Sequence, residues 1–227
     1  MKTSLNTLII LSSILLAFVL LYDGDTVIAK EHDDDSSDDS SDDSSDNEDG
    51  KFVDNNAIQI CCAWGPELAD GILTYSFEDK DKSLQDSTTK ATDSWNKVLN
   101  GVQLKKTKTD GDILISFRND GKKVAGETIN HYDSDEFIRK SHLTISKEYY
   151  ANEFTPAQLE QIVKHELGHV LGMDHANFNG NLMSTQVETG SGTIAPCEIE
   201  AVNTANAWKI KDGGLSMHIP TEKFVDC

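Results

Sequence analysis

His165-Glu166-Leu167-Gly168-His169-Val170-Leu171-Gly172-Met173-Asp174-His175, followed closely by Asn181-Leu182-Met183-Ser184, is the stretch that decides the fold. Residues four apart on a helix share a face, so His165 and His169 can aim imidazole nitrogens at one ion. Glu166 lies about 100° round the helix from His165. There it flanks the ion and is free to act on zinc-bound water rather than ligate. Gly172 comes three residues after His169, where a residue tolerant of positive φ lets the helix stop and the chain turn. That turn can bring His175 round as a third ligand. Three protein ligands leave one tetrahedral position open, which separates a catalytic zinc site from a closed structural one.

At the chain's own His and Glu frequencies, H-E-x-x-H arises by chance in about one such chain in a hundred. Adding Gly172 and His175 lowers this to roughly a few in a hundred thousand, which sets aside an amphipathic helix with surface histidines and a glycine cap. The extended pattern resembles the metzincin zinc endopeptidases, whose H-E-x-x-H-x-x-G-x-x-H signature is matched at every fixed position. Met183 sits where that clan has its Met-turn, and HELGHVLGMDH is most similar to the matrixins. The resemblance implies an α/β (α+β) catalytic domain: a mixed twisted sheet, an active-site helix, the Met-turn and a C-terminal helix. It further implies one catalytic zinc on His165, His169 and His175, Glu166 as the catalytic base, and a protein or peptide substrate. Two positions depart from the relatives. Ala176 stands where matrixins usually have Ser, and Thr185 where astacins and serralysins have a tyrosine.

The chain opens with Lys2 and a nearly unbroken apolar run from Leu8 to Tyr22, then Val27-Ile28-Ala29 as a candidate cleavage site. Residues 1–29 are therefore expected to be an export signal or, uncleaved, an N-terminal membrane anchor. Residues 30–50 form an acidic spacer. Between Glu31 and Asp49 it holds eleven acidic residues, no Lys or Arg and no apolar side chain, so burial cannot offset its ordering entropy. A calcium-binding tract is the sharper alternative, but the Gly and closing Glu of an EF-hand loop are missing. Calcium is not otherwise evident.

Residues 51–227 make one domain's length. From Lys51 on, 26 acidic residues face 18 Lys and Arg, a net charge of −8 that gives no basic footprint for nucleic acid. The expected location is outside the cell or on the outer face of its membrane, touching the membrane only through an N-terminal anchor. Oligomeric state is not encoded in any pattern here. The P-R-C-G-x-P-D segment that keeps many matrixins latent is absent.

Strands are expected over 72–77, 102–105, 113–117, 124–129 and 143–146, with a helix through Leu84 to Leu99. The aromatics Tyr75, Phe77, Trp95 and Phe117 are expected in the core. Thr155-Pro156-Ala157-Gln158 reads as the capped start of the active-site helix, with Leu159, Val163, Leu167 and Val170 on its inner side. Cys197 to Lys209 reads as the last helix, after a Ser/Thr/Gly-rich loop from Met183 to Pro196 that the resemblance to metzincins implies will shape specificity. The resemblance to matrixins implies an edge strand that pairs with an extended substrate, and chain position offers 124–130 or 142–146 for it. His131 and Asp133 have the H-x-D spacing that begins a structural zinc site in the matrixins this chain resembles, but further ligands are not evident, so loop residues and no second zinc are expected. Four cysteines in an exported chain suggest two disulfides. Pairing neighbours is strained, which favours Cys61 and Cys62 bridging to Cys197 and Cys227. The alternative is a cysteine that caps the zinc.

The reading is an exported zinc endopeptidase that cleaves peptides with a Glu-activated, zinc-bound water. A zinc-binding adhesion or interaction module without turnover is the rival, and the intact Glu166 argues against it. A membrane-tethered structural protein with an acidic stalk would leave the histidines unexplained.

Overall fold

The computed structural model describes residues 55–119, 124–148, 152–186 and 192–227, with the backbone alone of 27–28, 30–31, 149 and 187. Most of the export segment and the acidic spacer therefore lie outside the described residues. Two short strands, Val27–Ile28 (β1) and Lys30–Glu31 (β2), precede the main body. Then come Ala57–Ile60 (β3), Ala63–Trp64 (β4), Ile72–Phe77 (β5) and helix Lys82–Val98 (α1). Gln103–Lys106 (β6), Ile113–Arg118 (β7), Gly126–Tyr132 (β8) and Phe137–Ser146 (β9) build the sheet. A small hairpin, Glu148–Tyr149 (β10) and Asn152–Glu153 (β11), leads into helix Pro156–Val170 (α2). Met173–Ala176 (β12), Gln186–Val187 (β13), helices Pro196–Ala205 (α3) and Ala207–Ile210 (α4), and Phe224–Asp226 (β14) complete the order.

The main sheet runs β2-β8-β9-β7-β5-β6, with β4 also paired to β9. Only β8 against β9 is antiparallel in it. Helices cover the parallel strands, so Leu73, Ile113, Ile115, Leu143 and Ile145 are buried. α1 starts on Asp81, whose carboxylate accepts from Leu84 N at 3.1 Å, and it buries Leu84, Ala91 and Trp95. Tyr75 is buried as expected, while Phe77 and Phe117 pack on the margin of the core.

Several expectations need correction. β8 extends to Tyr132, so His131 is a strand residue and not part of a loop. β9 lies between β8 and β7, so 142–146 is interior and β8 is the outer strand of the pair. Its outer side pairs in parallel with Lys30–Glu31. The last helix breaks at Asn206, whose side-chain amide serves other backbone groups. The tail, which carries no sequence pattern, returns as β14 to pair with β3.

The cysteines pair as Cys61–Cys62 and Cys197–Cys227, not as bridges between those two pairs. Backbone pairing explains the second. Cys227 N donates to Asn56 O at 2.7 Å, and β14 lies on β3 beside α3, which carries Cys197 at its first turn. Cys62 is buried in the core, with Asn130 Nδ2 at 3.8 Å from its sulfur. Neither cysteine of the first pair is available as a zinc cap.

Candidate metal centre

α2 is held at both ends. Thr155 and Gln158 form the expected reciprocal capping box, with Pro156 in the first turn. At the other end the last carbonyls of a helix need partners. Asn130 Nδ2 donates to His169 O at 3.3 Å, Trp64 Nε1 to Val170 O at 2.6 Å and Asn206 Nδ2 to Leu171 O at 2.8 Å. Trp208 in turn donates to Trp64 O at 2.8 Å. Leu159, Val163, Leu167 and Val170 are all buried, as their spacing predicts. The helix that carries the histidines is thus fixed along its length.

Gly172 has φ of +99° and ends the helix. The chain turns back as β12 and brings His175 to the other two histidines. Their ligand atoms all lie within 4.8 Å of one another. His165 Nδ1 donates to Leu182 O at 2.6 Å and His169 Nδ1 to Met173 O at 2.9 Å. Each ring therefore presents a lone pair at Nε2, and these two nitrogens stand 3.1 Å apart. Facing lone pairs repel unless a cation lies between them. Two nitrogens bound tetrahedrally to one zinc stand about 3.3 Å apart, so the pair fits. His175 Nε2 is buried with no hydrogen-bond partner among the described residues. The donor set suits zinc.

Met183 is buried against Gly168, where an added Cβ would strike its sulfur. Its turn orients two ligands at once. Leu182 O receives His165, and Met183 O accepts from Ala176 N at 2.8 Å, directly after His175. Asn181 Oδ1 closes the turn on Met183 N at 2.8 Å.

Glu166 is fully buried, and burial pushes its carboxyl up to about 8, against the lowering pull of Thr128 and Arg118. Burial and the neighbouring rings hold His165 well below the usual imidazole value and bring His169 down to about 4. All three groups are tuned to the states a metal wants: neutral imidazoles, and a carboxyl that a nearby dication would ionise.

Residues outside the motif complete the centre. Thr128 Oγ1 lies 2.7 Å from Glu166 Oε2, and Ser141 Oγ donates to Asn130 Oδ1. Sequence reasoning missed both contacts because β8 and β9 supply them from outside the helix. Glycine inside a strand, at Gly126, was the one available signal of close approach. His131 and His142 meet edge to face with centroids 4.9 Å apart. Asp133 instead accepts from Asp135 N, Phe137 N and Arg139 in the turn.

A helix-borne pair of histidines, a third beyond a glycine turn and a methionine beneath them define a metalloprotease. The sequence profile of the matrixin family matches residues 64–202, and the chain belongs to that family, a matrixin-like metzincin catalytic domain. Among solved structures, that of myroilysin is similar at 9% identity and a TM-score of 0.43, covering 65% of this chain and 97% of that one. No curated protein matches the sequence.

Proposed function

We propose that this chain is an exported zinc endopeptidase in which His165, His169 and His175 hold the metal and Glu166 moves the protons. The observation that carries the reading is the pair of Nε2 atoms 3.1 Å apart, each with its Nδ1 committed to a carbonyl. When bound, zinc supplies a Lewis acid for the scissile carbonyl and lowers the pKa of water. Glu166 takes a proton from the attacking water and delivers it to the leaving amine as the C–N bond breaks. Burial of the carboxyl keeps bulk water from competing for that proton.

The substrate is read as an extended peptide on the outer side of β8. That edge already accepts a strand of this chain, Lys30–Glu31, and backbone pairing supplies affinity without demanding a sequence. Export rests on the apolar run from Leu8 to Tyr22, and the acidic tract that follows Lys30–Glu31, up to residue 50, then acts as a self-repelling spacer.

The test pairs zinc stoichiometry with hydrolysis of a diverse peptide library by wild type and Glu166→Ala. Zinc content should match, and hydrolysis should fall by a factor on the order of 10² to 10⁴. Equal hydrolysis overturns the role of Glu166. Zinc binding without hydrolysis in either protein would favour the interaction module.

A further inference from the structure

Residues two apart on a strand face the same side, and on β8 the residues Gly126 and Thr128 both face Glu166. Thr128 is fully buried, with Oγ1 at 2.7 Å from Glu166 Oε2 and 3.2 Å from the Glu166 carbonyl. A hydroxyl has one proton to give, and once the carboxyl is ionised the shorter, charge-assisted contact takes it. A Cβ at Gly126 would strike Glu166 Oε1 and lie 2.6 Å from Cγ. The carboxyl group thus occupies the space of the side chain that Gly126 lacks. Oε1 is buried with no hydrogen-bond partner among the described residues. Between the two, Glu127 faces the other way and pairs with Arg118.

We propose that Gly126 and Thr128 form a slot for the general base, and that Thr128 is a positioning residue which commits Oε2 and leaves Oε1 to exchange the proton. The inference rests on Glu166 being the base. Its consequence is geometric. The strand that receives the peptide also sets the orientation of the carboxyl, so the base and the scissile bond are referenced to one element. A threonine that merely filled the core would show no coupling to Glu166.

Thr128→Val, which keeps the shape and removes the hydroxyl, is compared with Thr128→Ser in the wild-type and Glu166→Ala backgrounds. Thr128→Val should leave zinc content unchanged and lower kcat about tenfold with little change in KM. Thr128→Ser should recover most of that loss. In the Glu166→Ala background, Thr128→Val should add nothing. Should Thr128→Val not fold, Thr128→Ala makes the same comparison. A second readout needs no catalysis: in zinc-free protein carrying ¹³C-labelled glutamate, the carboxyl resonance missing from Glu166→Ala should move in Thr128→Val. An equal drop in both backgrounds, or a serine variant as slow as valine, overturns the proposal. If wild type cleaves nothing, the proposed activity fails by itself and the resonance alone decides the slot: movement supports it, and an unmoved resonance overturns it.

Discussion

Gly172 sits so close to Cys62 that a Cβ would run into the Cys62 carbonyl, and the same Cβ would stand 2.8 Å from Ala205 Cβ. Cys61 N also donates to Gly172 O at 3.1 Å. The turn that delivers the third histidine is therefore held by the link between β3 and β4, which carries the vicinal disulfide. Gly172→Ala combines strain at a φ of +99° with a backbone clash. We expect a stability loss of about 2 to 4 kcal/mol in denaturant unfolding. Zinc affinity should weaken as well, because His175 lies three residues on. Unchanged affinity measured by competition with a chelating dye would detach the turn from the metal.

Ligand deletion separates the three histidines from their neighbours. His165→Ala, His169→Ala and His175→Ala each leave an incomplete set, so bound zinc after dialysis should fall from one per chain towards none. His142→Ala should leave zinc content unchanged, since His142 faces His131 on the sheet and not the centre. Metal analysis of the four variants settles the assignment. Undiminished zinc in His175→Ala would remove the third ligand.

How the site could be read from sequence follows from where its contacts originate. His165, His169 and the glycine turn are local, so helical spacing and one conformational requirement place them. The capping box at Thr155 is local too. Gly126 and Thr128 reach Glu166 only because β8 packs on α2, and no pattern within either segment encodes that meeting. β14 was illegible for the same reason: its pairing with β3 joins residues near the two ends of the domain. The strain of joining neighbours argues against Cys61–Cys62, and the β14–β3 pairing that brings Cys227 to Cys197 has no local signal. His131 was misplaced because strand β8 runs on past the alternation that signals it.

Cys197–Cys227 should stabilise far more than Cys61–Cys62. The former closes a loop of sequence separation 30 and ties β14 to α3. By chain entropy it is worth about 3 to 4 kcal/mol. The latter spans adjacent residues and constrains almost nothing in the unfolded chain. Urea midpoints of Cys197→Ser/Cys227→Ser and Cys61→Ser/Cys62→Ser double variants should therefore fall in that order. Non-reducing peptide mapping that finds bridges between the two pairs would overturn the connectivity itself.

The buried carboxyl makes the zinc-free protein sensitive to pH in a direction that can be worked out. Glu166 rises from 4.5 to about 8 on folding, chiefly through burial. Below about pH 4.5 both states hold the proton, so the shift costs nothing there. Between about 4.5 and 8 the unfolded chain releases it and the folded one keeps it, so stability falls as pH rises through that window, by on the order of 5 kcal/mol. His169 acts at the other end. Its folded value drops from 6.5 to about 4, again chiefly through burial. The unfolded chain then binds the extra proton first, and stability falls as pH drops from about 6.5 to 4. Between about 4.5 and 6.5 the two slopes oppose each other, and His165, also lowered by burial, adds to the acid limb, so the zinc-free protein should be most stable near pH 6.5 and lose stability on either side. Glu166→Gln removes the ionising group and should abolish the loss on the alkaline side while leaving the acid side intact. Added zinc should flatten the alkaline limb in wild type, because a dication beside the carboxyl favours its charged form. Urea unfolding of zinc-free wild type and Glu166→Gln from pH 4 to 8 reads both limbs. Parallel curves for the two proteins would mean that Glu166 is not the buried acid described by this fold.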